Sequence, residues 1–260
     1  MQPSYYIPHG GGPCFFMDDP AGAWKGMASF LRGLPDAFLV PPRAILVISG
    51  HWETTGFTLT SNPRPPLVFD YYGFPAHTYQ LRYDAPGAPD LAERAAQLLS
   101  SAGLPAQLDP DRGLDHGVFV PLKVALPDAQ IPVVEMSLDA SLDPELHLAA
   151  GRALAPLRDE GVLILGTGMS FHNLRALGDP RVLLPSLQFD SWLNATINAP
   201  APARSLGLTH WHEAPAAHIC HPRSEHLLPL MVAAGASQAT GQRVYNAQVL
   251  GSMISGFRFD

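Results

Sequence analysis

Two apolar runs constrain the fold of this chain more than any other feature of its sequence. Residues 43–52 (RAILVISGHW) and 160–168 (EGVLILGTG) consist mainly of aliphatic and β-branched residues, without a regular alternation of apolar and polar positions. Runs of this kind are typical of strands in a parallel sheet that is covered on both faces. Residues 4–9 (SYYIPH) and 131–138 (IPVVEMSL) predict two further strands of the same sheet.

Helical patterns lie between these strands. Residues 88–103 (APDLAERAAQLLSSAG) end in a glycine that suits the C-terminal cap of a helix. Residues 142–161 (LDPELHLAAGRALAPLRDEG) include Asp143 and Pro144, which suit an N-terminal cap and a first helical turn. Strands separated by helices of this length predict an α/β sandwich, in which helices flank a largely parallel central sheet.

The composition limits the number of domains, the location and the partners. No stretch of the 260 residues resembles a linker or a repeat, so we expect residues 1–260 to form a single domain. The net charge of −7 argues against a nucleic-acid partner, because phosphate binding needs a basic surface. No apolar run is long enough to cross a bilayer, and the first residues lack the pattern of a signal peptide. Since Cys14 and Cys220 also lack CxxC spacing, the sequence predicts a cytoplasmic protein in a reducing compartment, with no membrane partner.

Three histidines occupy comparable places relative to the predicted strands. His9 follows the first strand, His51 follows the second, and His172 follows the strand at 160–168. In open α/β sheets the carboxyl ends of the strands meet in one crevice, so side chains there converge even when they are distant in sequence. Histidine is also the commonest metal ligand in proteins. The sequence therefore predicts a metal centre at this edge of the sheet.

The remaining histidines divide into two groups. His116 (GLDHGVFVPL) and His226 (HPRSEHLLPL) lie where loops lead into predicted helices, and we count them as candidate site residues. His147 is expected on a solvated or partly buried helix face. Six histidines in all are assigned structural roles: His77, His147, His210, His212, His218 and His221. A phosphate-binding loop, a dinucleotide fingerprint and a GxSxG nucleophile elbow have no match in the sequence.

Seven short segments occur in order between residues 8 and 230, and together they resemble the class III extradiol ring-cleaving dioxygenases. They are PHGGGP, SGHWE, DYYGFP, YDAPG, LDHGVFVPL, GTGMSFHNL and PRSEHLLPL. The set is most similar to the branch that contains the DOPA 4,5-extradiol dioxygenases of plants and bacteria. The glycine run departs from the HGSP-like version associated with that branch. This departure keeps the histidine that would bind the metal. It leaves undetermined the shape of the nearby pocket wall and hence the identity of the substrate.

The resemblance implies a non-haem Fe(II) centre with His9 and His51 as ligands. Two histidines and one further ligand on a single face leave room for a catechol and for O2. The third ligand comes from the SEH segment, where adjacent residues of a helix point about 100° apart, so one of the two faces the metal. We predict that His226 is this ligand and that Glu225 is exposed in the first turn of the helix. The alternative is that Glu225 replaces His226 as the third ligand. Zinc also suits this histidine set as the bound metal.

The resemblance also implies residues that move protons. Ring opening requires a catechol hydroxyl to lose a proton and an oxygenated intermediate to gain one, and histidine titrates in the right range. His172 matches the family position that acts as acid and base. His116 matches a position that contacts the substrate hydroxyl or the oxygen-derived group, and Asp115 is a candidate to orient it.

Aromatic residues provide candidates for the substrate pocket. We predict that Tyr72 and Phe119 contact a catechol such as DOPA, and Tyr71 and Phe74 are further candidates. A carboxylated substrate would require a nearby cation. Three arginines are available, and the sequence does not choose between them: Arg64, Arg175 and Arg223. It also leaves open whether the 4,5 or the 2,3 bond is cleaved.

Two other functions fit parts of the pattern. A zinc hydrolase would use the same ligands, with His172 as the base towards a metal-bound water. A binding protein of the same fold would keep the histidine pocket without turnover. The dioxygenase is favoured because LDHGVFVPL and GTGMSFHNL accompany the ligand motifs in order. Whether the chain is a monomer or a small homo-oligomer is left open.

Overall fold

Eight strands form one sheet in the computed structural model, which describes residues 1–38 and 40–260. In chain order the strands are β1 (Ser4–Pro8), β2 (Ala44–Thr54), β3 (Phe57–Thr60), β4 (Ala106–Asp109), β5 (Val133–Asp139), β6 (Val162–Gly168), β7 (Gly241–Val249) and β8 (Ser252–Phe259). The helices are α1 (Lys25–Gly33), α2 (Pro89–Ser101), α3 (His116–Ala125), α4 (Pro144–Leu154), α5 (Pro156–Asp159), α6 (Leu183–Ile197), α7 (Ala201–Thr209), α8 (Ala217–Cys220) and α9 (Leu228–Gly235).

The strand order is β4-β3-β5-β2-β6-β1-β8-β7. The four central strands β5, β2, β6 and β1 are parallel, and they are the four that the apolar runs predict. Their side chains are almost entirely buried, because helices cover both faces of the sheet. The predicted α/β fold with a largely parallel central sheet is therefore confirmed.

The outer strands extend this parallel core with antiparallel pairs. β8 pairs antiparallel with β1 and forms a hairpin with β7, while β3 pairs antiparallel with β5. β7 has a mostly exposed surface, so its sequence lacks the apolar run that marks the central strands. None of the described helices is both long and apolar enough to cross a bilayer.

The predicted helix caps are confirmed, but one predicted helix is interrupted in its interior. Gly103 has a φ of 77° beyond the end of α2, the left-handed conformation that glycine favours. Asp143 caps α4 by accepting the N–H of Glu145 at 2.8 Å. The segment 142–161, predicted as one helix, is divided between α4 and α5 at Pro156. Proline lacks an N–H and its ring clashes with the preceding turn, which interrupts a helix.

The six histidines assigned structural roles have different surroundings. His147 is fully buried, which corrects the expectation of a solvated or partly buried face. Its Nδ1 lies 2.7 Å from the carbonyl oxygen of Asp143, and its Nε2 accepts the N–H of Asp139 at 3.2 Å. Satisfied ring nitrogens remove much of the cost of burying a polar side chain. His221 is also buried, and the exposed members are His77, His210, His212 and His218.

Helix α9 packs on β6 through direct contacts between backbones. A Cβ atom added at Gly166 would lie 2.3 Å from the carbonyl oxygen of Pro229. One added at Gly168 would lie 2.1 Å from the carbonyl oxygen of His226, in the turn before the helix. These glycines therefore fix how closely α9 and its preceding turn approach the carboxyl edge of the sheet.

We predict that Gly166→Ala destabilises the protein, because the added methyl group has no room beside the Pro229 carbonyl. The expected loss in the free energy of unfolding, measured by urea denaturation, is about 1–3 kcal/mol or more. Gly26→Ala, in α1, is the matched control, since a Cβ atom there would meet no heavy atom of the described residues within 4 Å. It should leave stability unchanged or raise it by roughly 0.5–1 kcal/mol. Equal losses in both variants would contradict the packing argument.

Candidate metal centre

Three imidazole nitrogens from distant segments meet at the carboxyl edge of the sheet. The Nε2 atom of His51 lies 3.3 Å from Nε2 of His9 and 3.2 Å from Nε2 of His226. All three ligand atoms lie within 4.8 Å of one another. We call His9, His51 and His226 the histidine cluster. The structure thus brings together the three residues that the sequence analysis selects as metal ligands.

Each member of the cluster is positioned by a different element. His9 directly follows β1, whereas His226 lies in the turn before α9. His51 lies inside β2, which continues to Thr54, and not after the strand as the sequence suggests. The pairing of β2 with β5 shifts register between Ile48 and Glu53, and an irregularity of this kind re-aims side chains. This register shift occurs where the His51 side chain points towards the cluster.

The backbone around His226 is held by three strands. The Tyr6 hydroxyl in β1 donates a hydrogen bond to the His226 carbonyl at 2.7 Å. The Met169 N–H, which follows β6, donates to the same carbonyl at 3.2 Å. In β2, a Cβ atom at Gly50 would lie 3.3 Å from Cα of His226. The turn therefore has little freedom to move away from the other two ligands.

Burial favours the neutral form of the three rings in the cluster. Burial, and then the neighbouring histidines, hold the pKa of His9 and of His226 well below the ordinary value. The same causes lower the pKa of His51 to about 4. Neutral imidazole is the form that binds a metal ion, so the site needs no proton release from these rings near neutral pH.

The spacing of the cluster fits one metal ion. Zn–N distances to histidine are about 2.0–2.1 Å. Nitrogens 3.2 and 3.3 Å apart can share an ion at that distance. Three nitrogens on one side of an ion leave its other positions open, as do the two histidines and one carboxylate that bind iron on one face in non-haem Fe(II) oxygenases.

Glu225 connects His226 with His172. Its Oε1 lies 3.0 Å from Nδ1 of both rings. The glutamate side chain is only 13% exposed, which corrects the expectation of an exposed first-turn residue. Burial alone would raise the pKa of Glu225, but the hydrogen bond from His172 and the charge of Arg223 hold it below its ordinary value. The resulting carboxylate accepts Nδ1–H of each ring and leaves each Nε2 with a lone pair.

His172 lies against the cluster without joining it. Its ring stacks on that of His226, with centroids 3.3 Å apart and an angle of 18° between the planes. Because Glu225 occupies Nδ1, the Nε2 edge of His172 is the one free to meet a molecule in the adjoining cavity, which His172 lines. This arrangement suits a proton acceptor and donor beside the metal position.

Asp70 plays a similar part for His116. Its Oδ1 lies 2.8 Å from Nδ1 of His116 and accepts the backbone N–H of the same residue at 3.0 Å. The other oxygen, Oδ2, lies 3.6 Å from Nδ1 of His51. The expectation that Asp115 orients His116 is wrong, because the buried Asp115 carboxylate faces away and accepts the Ser49 hydroxyl at 2.8 Å. Asp70 opens the DYYGFP segment, which is the sequence signal that could have identified it.

A cavity of about 460 Å³ opens onto these histidines. Its volume is within the range of small-molecule sites. Its lining residues are His9, Gly10, Gly11, Gly12, Trp24, His51, Asp70, Tyr71, Tyr72, Phe74, His116, Met169, Phe171, His172, Leu174, Leu177, Val249 and Ile254. Tyr72 is 91% exposed, so it lies at the mouth of the cavity.

Phe119 does not reach this cavity. It is fully buried and packs against Phe69, with ring centroids 5.5 Å apart, and against Tyr71, with centroids 6.5 Å apart. The expectation that Phe119 lines the substrate pocket is therefore corrected: Tyr71 forms the wall and Phe119 supports it from behind. Helix α3 turns His116 towards the cavity and Phe119, three residues later, into the core.

The fold and these contacts agree with a comparison to known protein families. Residues 4–257 match the family described as the catalytic LigB subunit of aromatic ring-opening dioxygenase. The chain belongs to the LigB family. Its enzyme class is that of the extradiol ring-cleaving dioxygenases, as predicted, and neither the zinc hydrolase nor the binding protein is favoured. LigB dioxygenases are metal-dependent and act on a small aromatic molecule and O2.

Curated and solved relatives cover most of the chain. The dioxygenase tasH of Hapsidospora irregularis is 38% identical, over 96% of this chain and 83% of its own. The 4,5-DOPA dioxygenase extradiol of Beta vulgaris is 37% identical, over 98% of this chain and 95% of its own. The crystal structure of an uncharacterized protein from Escherichia coli K12 superimposes with a TM-score of 0.79 at 27% identity, covering all of both chains.

We predict that Glu225→Gln weakens metal binding about 10- to 100-fold, because partners that orient a ligating histidine contribute on this scale. The amide oxygen can still accept from both rings, but it lacks the negative charge that strengthens these two hydrogen bonds. Competition with a coloured chelator would measure the affinity for added Fe(II) or Co(II). The control is Glu213→Gln, an exposed glutamate outside the cavity. Unchanged affinity in Glu225→Gln would show that the carboxylate does not support the ligand.

Proposed function

We propose that residues 1–260 act as a single catalytic domain that opens the ring of a substituted catechol, with His9, His51 and His226 holding Fe(II). The observation that carries the proposal is the convergence of three neutral Nε2 atoms beside a cavity. The related 4,5-DOPA dioxygenases support a catechol substrate and cleavage of the 4,5 bond. The free, buried thiols of Cys14 and Cys220 support a cytoplasmic location.

Fe(II) at the cluster would supply open positions for the catechol oxygens and O2, together with the one-electron chemistry that ground-state oxygen requires. Zinc suits the same nitrogens but has no redox chemistry. We therefore propose Fe(II) as the active metal and zinc as a competitor for the site.

His172 is proposed as the acid and base. Its Nδ1–H is held by Glu225, so Nε2 is available to take the proton from a catechol hydroxyl. The same nitrogen can return that proton to the oxygenated ring later in the reaction. The stacked contact with His226 keeps this nitrogen beside the position of the metal.

His116 is proposed to bind an oxygen atom of the substrate. Asp70 fixes its Nδ1, which leaves Nε2 to donate or accept a hydrogen bond in the cavity. Tyr71, Tyr72 and Phe74 are proposed to face the aromatic ring of the substrate. Aromatic walls of this kind favour offset-stacked or edge-on contacts with a bound ring.

We predict that Fe(II)-loaded protein consumes O2 with catechols and forms a product with a new visible absorption. An oxygen electrode and a spectrophotometer would follow both signals. Removing the metal with a chelator, or loading zinc, should abolish the uptake, and Fe(II) should restore it. Absence of uptake with every catechol, together with ester or amide hydrolysis by the zinc form, would favour a zinc hydrolase instead.

The proposed division of roles predicts different effects for the histidines. His9→Ala and His51→Ala should lose both bound metal and turnover, because each removes a ligand. His172→Ala should keep most of its metal while turnover falls about 10²- to 10⁴-fold, the usual contribution of an acid and base. Metal content by elemental analysis and O2 uptake would separate the two classes. Equal metal loss in all three variants would refute this division.

A further inference from the structure

We propose that the preferred substrate is a catechol whose ring substituent is apolar and uncharged, in contrast to an amino acid or a carboxylic acid. This inference rests on the proposed function and specifies the substrate class of the same site. It follows from the apolar part of the cavity lining.

That wall is built from apolar side chains of several segments. It comprises Trp24, Phe74, Met169, Phe171, Leu174, Leu177, Val249 and Ile254. Val249 and Ile254 come from the β7–β8 hairpin, and Leu174 and Leu177 come from the loop after β6. A substituent that extends from the ring into this wall leaves water for apolar surroundings, which favours hydrocarbon groups.

The glycine run after His9 shapes part of the same wall. A Cβ atom at Gly12 would lie 2.9 Å from the Phe74 ring, and one at Gly11 would lie 3.4 Å from the Trp24 ring. Gly12 also has a φ of 51°, a conformation that side chains rarely adopt. The absence of side chains here lets Trp24 and Phe74 pack directly on the loop that carries His9. The glycine run thus contributes an aromatic surface to the cavity.

The charges around the cavity disfavour an anionic substituent. Apart from the histidines, which can be neutral or charged, Asp70 is the charged residue among the described lining residues. Arg223 is paired with Glu53, with Nη2 and Oε2 2.6 Å apart, and Arg64 and Arg175 are exposed outside the lining. A carboxylate placed against the apolar wall would lose its hydration without gaining a partner. Burying an unpaired charge in this way is costly.

The experiment compares catechols that differ only in the group at one ring position. Fe(II)-loaded wild-type protein is given 4-butylcatechol, L-DOPA, dopamine and 3,4-dihydroxyphenylacetate, and kcat/KM is measured from O2 uptake. We expect 4-butylcatechol to exceed each of the three charged catechols by about tenfold or more, since unpaired polar groups are rejected on at least this scale. A smaller ratio for any of them overturns the substrate proposal. Failure of all four catechols would contradict the proposed function itself.

A matched pair of leucines tests whether the wall is responsible. Leu174 lines the cavity and is 67% exposed, whereas Leu184 lies outside it and is 64% exposed, so arginine is tolerated at both. Leu174→Arg should lower the ratio of butylcatechol to dihydroxyphenylacetate turnover about tenfold by supplying a cation. Leu184→Arg should leave the ratio unchanged. Equal ratios in the two variants would overturn the assignment of the wall.

Arg175→Ala provides an independent check, because this exposed arginine directly follows the lining residue Leu174 in the chain. The proposal expects the same substrate ratio as in the wild type. Selective loss of dihydroxyphenylacetate turnover in this variant would show that Arg175 binds a carboxylate. That result would overturn the proposal.

Discussion

The structure depends on a fold that gathers three imidazole nitrogens from distant segments at one point. The Nε2 atom of His51 lies 3.3 Å from that of His9 and 3.2 Å from that of His226. Nothing local in the chain brings them there, because His226 is separated from His51 by most of the sequence. The fold brings the three histidines together, because β1 and β2 are strands of one parallel sheet and the backbone of α9 and its preceding turn packs directly against the glycines of β6. Neutral imidazoles gathered in this way are in the form that binds a divalent metal ion.

Two carboxylates add a second regularity. Glu225 contacts His226 and His172, and Asp70 contacts His51 and His116. Each carboxylate therefore joins one proposed metal ligand to one proposed catalytic or substrate-binding histidine. The shared acceptor couples the orientations of the two rings, so displacement of one ring changes the hydrogen bond of the other.

The sequence carried enough information for the central strands and for the gathering of the histidines, and less for what surrounds them. Apolar runs mark β2 and β6 because both faces of those strands are buried, whereas the half-exposed β7 leaves no such mark. Strand ends converge by topology, so His9 and His51 could be placed without coordinates. The contacts of Asp70 and Glu225 could not be derived in this way, although both belong to segments that the sequence analysis singles out, because an acidic residue in a loop has no periodicity that reveals where its side chain points. Phe119 was assigned to the pocket for the same reason: composition identifies an aromatic residue but not which side of Tyr71 it occupies.

The β7–β8 hairpin lends Val249 and Ile254 to the cavity but contributes none of the proposed ligands. Part of the cavity wall is thus encoded in a stretch of the chain that holds none of the residues proposed to bind the metal or move protons. Substitutions in the hairpin can change which substrates fit the cavity without altering the histidines of the metal site. Diversification of relatives towards new aromatic compounds would then be expected to begin near the C-terminus, long before any histidine is replaced.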